Sequence, residues 1–198
     1  MRNILAGLAA ASLIALAVPA PAQQGSLSYQ FLEAVKKRKG DEVIKMLATP
    51  GTVLVNSKQM DGEGALHIVT RGRDLTWLEF LLGKGARPDV QTRTGDTPLM
   101  LAAQLGWVDG ADALLKRRAA VDLANSRGET PLIQAVQKRD AAMVRLLLSR
   151  GADPKRTDSV AGYSALDYAR QDSRAAPIAR ALEEAAAKPA RPVQGPKL

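Results

Sequence analysis

The chain lacks cysteine, has a single histidine, His67, and carries few aromatic side chains, which make up 4% of its 198 residues. Without cysteine it has no disulfides, no thiolate metal ligands and no cysteine nucleophile. One histidine leaves no plausible Ser–His pair, and no phosphate-binding or metal-binding motif stands out. We therefore predict a protein that is not an enzyme and that uses no cofactor and no metal.

Long apolar runs are also scarce. The one clear run extends from Ile4 to Val18, which is short for a transmembrane helix and typical of a secretory signal. Arg2 precedes this run, and an A-x-A cleavage site follows it at Ala20-Pro21-Ala22. We predict a signal peptide over residues 1–22, cleavage near Ala22/Gln23 and a periplasmic or secreted protein. The alternative is that the segment stays attached as a membrane anchor.

Acidic residues are fewer than basic ones, so the formal net charge is +8 at pH 7. Lys188, Arg191 and Lys197 lie in a proline-containing segment, 187–198, for which we predict a disordered basic tail. The remaining domain, 23–186, is only mildly basic, so we predict that it does not bind nucleic acid. Since it can form no disulfide, its stability must come from packing.

The sequence contains an internal repeat with two markers. The motif Gly-x-x-x-Leu recurs at a spacing of about 33 residues, as Gly62/Leu66, Gly95/Leu99, Gly128/Leu132 and Gly162/Leu166. A second marker keeps the same spacing, at Gly85-Ala86, Arg118-Ala119 and Gly151-Ala152. Two independent markers on one period indicate a stack of similar supersecondary units.

Within these copies, the segments GALHIV, GDTPLMLAA, GETPLIQAV and GYSALDYA make the chain similar to the ankyrin-repeat family. The resemblance implies an all-α solenoid of about five helix–turn–helix repeats joined by β-hairpin-like loops. The repeats would cover about 26–58, 59–92, 93–125, 126–157 and 158–186. Together with the signal segment, the repeats resemble exported (periplasmic) bacterial ankyrin-repeat proteins, and we expect a monomer.

The third repeat departs from its neighbours in its second helix, expected over Asp109–Arg117. Gly110 lies inside that helix, and Arg118 replaces the glycine of the second marker, where a left-handed backbone is expected. Each of these features costs about 1 kcal/mol. We therefore predict that this helix is the weakest seam of the stack.

Four conspicuous features favour structural roles over binding roles. His67 falls where the ankyrin family has a structural histidine, and it has no second histidine or cysteine with which to hold a metal. Trp77 and Trp107 are interpreted as packing residues, because tryptophans at helix starts more often pack than bind ligands. The run Lys36–Lys39 is interpreted as the solvated edge of a capping repeat, with a basic binding patch as the alternative.

Ankyrin-like stacks bind through their concave face, formed by the hairpin tips and the first helices. By register, the resemblance implies an acidic row ending in an aromatic residue, at Glu63, Asp96, Glu129 and Tyr163. It also implies a row of hydrogen-bonding side chains on the first helices, at Arg71, Gln104, Gln137 and Gln171. Arg93 and Arg127 lie at nearby tips. These ten residues suit a protein or peptide partner.

Two alternatives stay open. The rows can be an ordinary solvated surface that keeps the repeats soluble. Alternatively, the basic tail can attach the protein to anionic lipid or to a wall polymer, giving weak contact at about 1 kcal/mol for each basic residue. Binding through the tail would collapse in high salt, whereas binding through the concave face would only weaken.

Overall fold

A computed structural model of the protein describes residues 26–49 and 53–187. In these ranges the chain forms ten α-helices in five consecutive pairs, with short 3-10 helices at Leu54–Asn56 and Ser173–Ala175. The α-helices are α1 Leu27–Lys36, α2 Gly40–Leu47, α3 Ala65–Arg71, α4 Leu75–Gly83, α5 Pro98–Leu105, α6 Val108–Lys116, α7 Pro131–Gln137, α8 Ala141–Ser149, α9 Ala165–Gln171 and α10 Ala176–Ala187. This architecture confirms the predicted all-α repeat solenoid.

The predicted signal peptide lies outside the described residues. So does the predicted basic tail, apart from Ala187, which is the last residue of α10. None of the helices in the described ranges is long and apolar enough to cross a membrane.

The helices stack in two rows. The first helices of successive pairs pack in the order α1, α3, α5, α7 and α9, while α4, α6, α8 and α10 form the second row. The core between the rows takes one leucine per repeat from the first three copies of the Gly-x-x-x-Leu motif, at Leu66, Leu99 and Leu132, each buried. Burying such side chains is the main favourable term in folding, because it removes apolar surface from water.

The Thr-Pro pairs start the first helices of the third and fourth repeats. The hydroxyl of Thr97 accepts a hydrogen bond from the Met100 amide at 3.1 Å, and that of Thr130 accepts one from the Ile133 amide at 3.3 Å. The following proline occupies the first helical position, where no amide partner is needed.

The second repeat lacks that cap, and its histidine compensates. Gly64 precedes α3, and its amide donates to Nδ1 of His67 at 3.2 Å. Nε2 of His67 lies 3.0 Å from the carbonyl oxygen of Asp96 in the next hairpin tip. His67 therefore caps its own helix and ties two repeats together, which confirms the structural role predicted for it.

The repeated glycines lie at hairpin tips that are bonded to one another. The amides of Arg93 and Ser126 donate to the tips preceding theirs, at the carbonyls of Asp61 (2.7 Å) and Thr94 (2.9 Å), and the same bond recurs one repeat later. Gly62, Gly95 and Gly128 all have positive φ, and a Cβ on any of them would come within 2.8 Å of the following tip's backbone. Glycine recurs in this register because both the left-handed backbone and the close approach require it.

A second ladder of hydrogen bonds links the segments that follow the second helices in successive repeats. The side chains of Asn56, Asp89 and Asp122 are each separated by one repeat, and each accepts the backbone amide of a residue in the following repeat. The acceptor–donor distances are 2.8, 2.8 and 3.1 Å. Burial raises the pKa of Asp122 above its ordinary value.

Arg118 adopts the left-handed backbone expected of it, with φ of 65°. Three further arginines, at the turn between the paired helices, also have positive φ, and the sequence did not predict them: Arg38, Arg73 and Arg139. Each of the three reaches into the following repeat, where Arg38 pairs with Asp74 at 2.8 Å and Arg73 donates to the Leu105 carbonyl. The inter-repeat contact offsets the backbone strain of a non-glycine residue.

Gly110 in α6 has a packing role that the sequence did not reveal. A Cβ on Gly110 would lie 2.1 Å from Cε3 of Trp107, so the indole ring occupies the space over this glycine. Trp107 is only 8% exposed, which confirms it as a core residue. The interpretation of Gly110 as a simple helix weakness is therefore wrong, since the glycine makes room for the largest side chain of its repeat.

Candidate partner-binding face

We keep the term concave face for the surface formed by the hairpin tips and the first helices. The predicted row Arg71, Gln104, Gln137 and Gln171 lies near the ends of α3, α5, α7 and α9, which pack in that order. Arg71, Gln137 and Gln171 are exposed, and Gln104 is half-buried. The structure therefore brings this row onto one face at a spacing of one repeat.

The three carboxylates of the acidic row are less exposed than expected. Glu63 and Asp96 are half-buried, and Glu129 is buried at 8% exposure, so the expectation of an exposed acidic row at the tips is wrong for Glu129. Glu129 accepts hydrogen bonds from Arg127 at 2.7 Å and from the Asn125 side-chain amide at 2.9 Å. That amide also donates to Asp96 at 3.1 Å, so the carboxylates hold neighbouring tips together.

The cations of the ion pairs, rather than the carboxylates, face solvent. Arg71 pairs with Glu63 at 2.5 Å, and their side chains are 62% and 18% exposed. Arg127 pairs with Glu129 with the same asymmetry. Arg93 is exposed and has no side-chain ion pair among the described residues. Since guanidinium groups carry five N–H donors, these arginines keep donors available for another molecule.

The electrostatics of His67 fit a structural residue. Burial lowers its pKa below the ordinary value, and only the hydrogen bond to Asp96 and the nearby Glu63 work in the opposite direction. The neutral ring is required, because Nδ1 must accept the Gly64 amide proton. His67 therefore adds stability at neutral pH that is lost as the pH falls below about 6.5.

Tyr163, at the end of the acidic row, is exposed and packs against a tyrosine that is hydrogen-bonded to a buried carboxylate. Its ring packs edge-on against Tyr168 at 5.6 Å between centroids, and the Tyr168 hydroxyl donates to Asp158 at 2.6 Å. That hydrogen bond raises the pKa of Tyr168 to about 12. Gln137 hydrogen-bonds to the same hydroxyl, so this side chain of the predicted row already has a partner within the protein.

Asp158 is a buried carboxylate that sequence reasoning missed. Its Oδ1 accepts three amides of the hairpin tip, those of Val160, Ala161 and Gly162, at 2.6–3.2 Å. Burial works to raise the pKa of Asp158, but these bonds and the bond from Tyr168 outweigh it, and the pKa is lowered. The signal was present in the sequence, because Asp158 holds the same place in its repeat as Asn125 holds in the preceding one.

A groove of about 490 Å³ opens between the first two repeats. Val35, Val69 and Ile68 contribute its apolar floor, and Trp77 lies at the end near the helix–helix turn. Its charged lining consists of three cations, Lys36, Arg38 and Arg71, and two carboxylates, Glu63 and Asp74. Trp77 packs edge-on against Phe80 at 5.8 Å, as predicted for a packing residue, but it remains half-buried and lines the groove.

The exposed arginine and glutamine side chains of this face can donate hydrogen bonds. Within the described ranges, no group of three or more His, Asp or Glu side chains is arranged to hold a metal ion. Among the titratable groups with shifted pKa values, His67, Asp158 and Asp167 are engaged in hydrogen bonds that stabilise tips and helix starts.

The chain matches a known family profile over more than half of its length. Residues 31–125 and, in an overlapping match, 66–158 fit the profile described as ankyrin repeats (3 copies). Proteins built from such repeats generally mediate protein–protein interactions and are typically not enzymes.

Three curated relatives illustrate the range of proteins that contain a similar segment. Human transient receptor potential cation channel subfamily A member 1 is 30% identical over 120 residues, covering 57% of this chain and 11% of the channel. A putative ankyrin repeat-containing protein of Treponema pallidum is 36% identical over 114 residues, covering 57% of this chain and 38% of that protein. Neurogenic locus notch homolog protein 1 of Danio rerio is 35% identical over 147 residues, covering 73% of this chain and 6% of the homolog. The alignments thus span less than two fifths of each relative.

Proposed function

Because the chain belongs to the ankyrin-repeat family, we propose that it is a non-catalytic interaction module that binds a protein or peptide partner through its concave face. The observation that carries the proposal is the row of polar side chains, three of the four exposed and one repeat apart, on helices that pack side by side. One extended partner can contact Arg71, Gln104 and Gln137 together. Arginine and tyrosine are enriched among residues that dominate binding energy, and Arg71 and Tyr163 are both exposed here.

We further propose that this module acts in the cell envelope, as a monomer, after removal of residues 1–22. The support for export is the short apolar run with its A-x-A site. N-terminal sequencing of protein expressed with its own leader tests this. A mature N-terminus at Gln23 is expected, and an intact Met1 in the membrane fraction would refute it.

Affinity capture from envelope extract, with residues 23–198 immobilised, tests the binding proposal. Arg71→Ala and Tyr163→Ala should reduce the captured partner, whereas Arg145→Ala, an exposed arginine on the second-helix row, should not. Thermal melting of each variant checks that the fold is intact. This control is needed because Arg71→Ala leaves Glu63 without its ion pair.

Deletion of residues 188–198 tests the alternative that the protein binds through its basic tail. Capture at moderate salt should survive this deletion. If the deletion abolishes capture while both alanine variants bind normally, the tail is the binding element and attachment to an anionic surface replaces the proposed function.

A further inference from the structure

We propose that the groove between the first two repeats is a docking site for an acidic, extended peptide segment with apolar side chains between its carboxylates. This inference rests on the proposed function and names the chemistry of the partner. The groove of about 490 Å³ is comparable with pockets that enclose small ligands, so it can hold a few side chains of a peptide.

The exposed cations of the rim favour a negatively charged partner. Lys36, Arg38 and Arg71 have side chains that are between 61% and 65% exposed. The carboxylates that pair with the two arginines, Asp74 and Glu63, are only 19% and 18% exposed. A partner approaching the groove therefore meets three cations before it meets their counter-ions.

The arginines also keep hydrogen-bonding capacity. Arg38 contacts Asp74 through Nε, and Arg71 contacts Glu63 through Nη2. Each guanidinium has five N–H donors in a planar fork, so the remaining edges can receive a second carboxylate. Carboxylate is the partner chemistry that this geometry fits.

The floor of the groove supplies an apolar surface between the cations. Val35 and Val69 are buried, while Ile68 and Trp77 are half-buried and open to the groove on one side. An apolar side chain placed there removes its own surface and that of Trp77 from water. The floor thus favours a peptide that alternates acidic and apolar residues over a uniformly acidic one.

The later repeats show that these cations are not demanded by the fold. The place of Arg71 is taken by Gln104 and Gln137. The left-handed turn position of Arg38 and Arg73 is taken by Gly106 in the third repeat and by Arg139 in the fourth. Helices α5 and α7 stack normally with those residues. The first two repeats thus combine a cation at the end of the first helix, Lys36 or Arg71, with an arginine at the turn, whereas the fourth repeat has Gln137 beside its turn arginine.

A labelled peptide tests the inference on the protein of residues 23–198. The probe is a fluorescein-labelled peptide of four Glu-Leu-Asp triplets, followed by anisotropy in about 0.15 M salt. Two control peptides replace every acidic residue by lysine or every leucine by serine. We expect saturable binding of the acidic probe, binding at least about tenfold weaker for the serine peptide, and none for the lysine peptide.

Matched arginine variants locate the site. Arg71→Gln, which copies the later repeats, and Arg38→Gln should each weaken the acidic probe about fivefold or more, whereas Arg117→Gln at the exposed end of α6 should not. Binding should also change the emission of Trp77, and this change should be absent in Trp77→Phe. Equal weakening by Arg117→Gln, or equal affinity for the serine peptide, would overturn the inference, because either result indicates general charge attraction.

The two proposals fail separately. If the partner captured from extract depends on Tyr163 but not on Arg71 or Arg38, and the acidic probe does not bind, the acidic-peptide inference is wrong while concave-face binding stands. If no concave-face substitution alters capture, the proposed function itself is wrong.

Discussion

Replacing Gly110 by alanine tests whether helix propensity or packing against Trp107 determines the stability effect of this glycine. By propensity alone, alanine inside α6 should stabilise the protein by about 1 kcal/mol. The structure predicts the opposite, because the new Cβ would lie 2.1–2.4 Å from three carbons of the Trp107 ring. Ordinary contacts begin near 3.4 Å, so the indole must move by about 1 Å or more.

The change in the free energy of unfolding follows from two costs and one gain. Overpacking of this kind costs about 1–3 kcal/mol. Displacing the indole exposes on the order of 50 Å² of its surface, which costs a further ~1 kcal/mol at about 25 cal/mol per Å². Subtracting the propensity gain leaves a net destabilisation of about 2 kcal/mol. For a chain of this size, Tm should fall by about 4–8 °C.

Urea denaturation followed by circular dichroism and tryptophan emission measures the effect. Gly83→Ala is the matched control, since no heavy atom lies within 4 Å of a Cβ there, and it should be neutral or stabilising. In a Trp107→Leu background, Gly110→Ala should lose most of its cost, because the clash is removed. A rise in stability for Gly110→Ala in the wild-type background, equal to that of Gly83→Ala, would refute the packing role of this glycine.

Three further predictions concern single residues. Arg118→Gly should stabilise the protein by about 1 kcal/mol, because Arg118 has φ of 65°, and a lower unfolding free energy in urea would contradict this. Arg73→Gly should stabilise it less, since Arg73 also bonds to the next repeat. Thr70→Val should stabilise by about 1 kcal/mol, because the buried Thr70 hydroxyl has no hydrogen-bond partner among the described residues; an unchanged or lower unfolding free energy would show that the hydroxyl is satisfied. The free energy of unfolding should decrease as the pH falls from 7 towards 5, since burial lowers the pKa of His67, and this slope should be absent in His67→Gln.

Much of the fold could be predicted from the sequence because its markers have direct physical causes. The glycines of the first three copies, Gly62, Gly95 and Gly128, recur because their backbone is left-handed and touches the next tip. The threonine and proline recur because they start a helix. These are local requirements, so each one leaves a visible residue in the sequence.

The candidate site was harder to predict, because burial and pairing depend on neighbouring repeats. Glu129 falls in the same register as Asp96, yet it is buried and accepts hydrogen bonds from Arg127 and Asn125. Nothing in the spacing distinguishes the two carboxylates. The groove at Trp77 was missed for a similar reason, because it depends on how the first two repeats stack.

Gly110 illustrates the same limit for packing. A glycine in a helix reads as a weak point, and only the position of the Trp107 ring over it reveals the reason for the glycine. The left-handed arginines also needed the structure, since their partners, such as Asp74 for Arg38, lie 36 positions away in the chain.

Hydrogen exchange of the protein with and without its captured partner tests concave-face binding most directly. We expect slower exchange in the partner complex at the tips and first helices, over 62–72, 95–105 and 128–138. Exchange in the second helices α6 and α8 should change little, because their side chains pack against neighbouring repeats. Protection confined to α6 and α8, or to residues 188–198, would contradict the account.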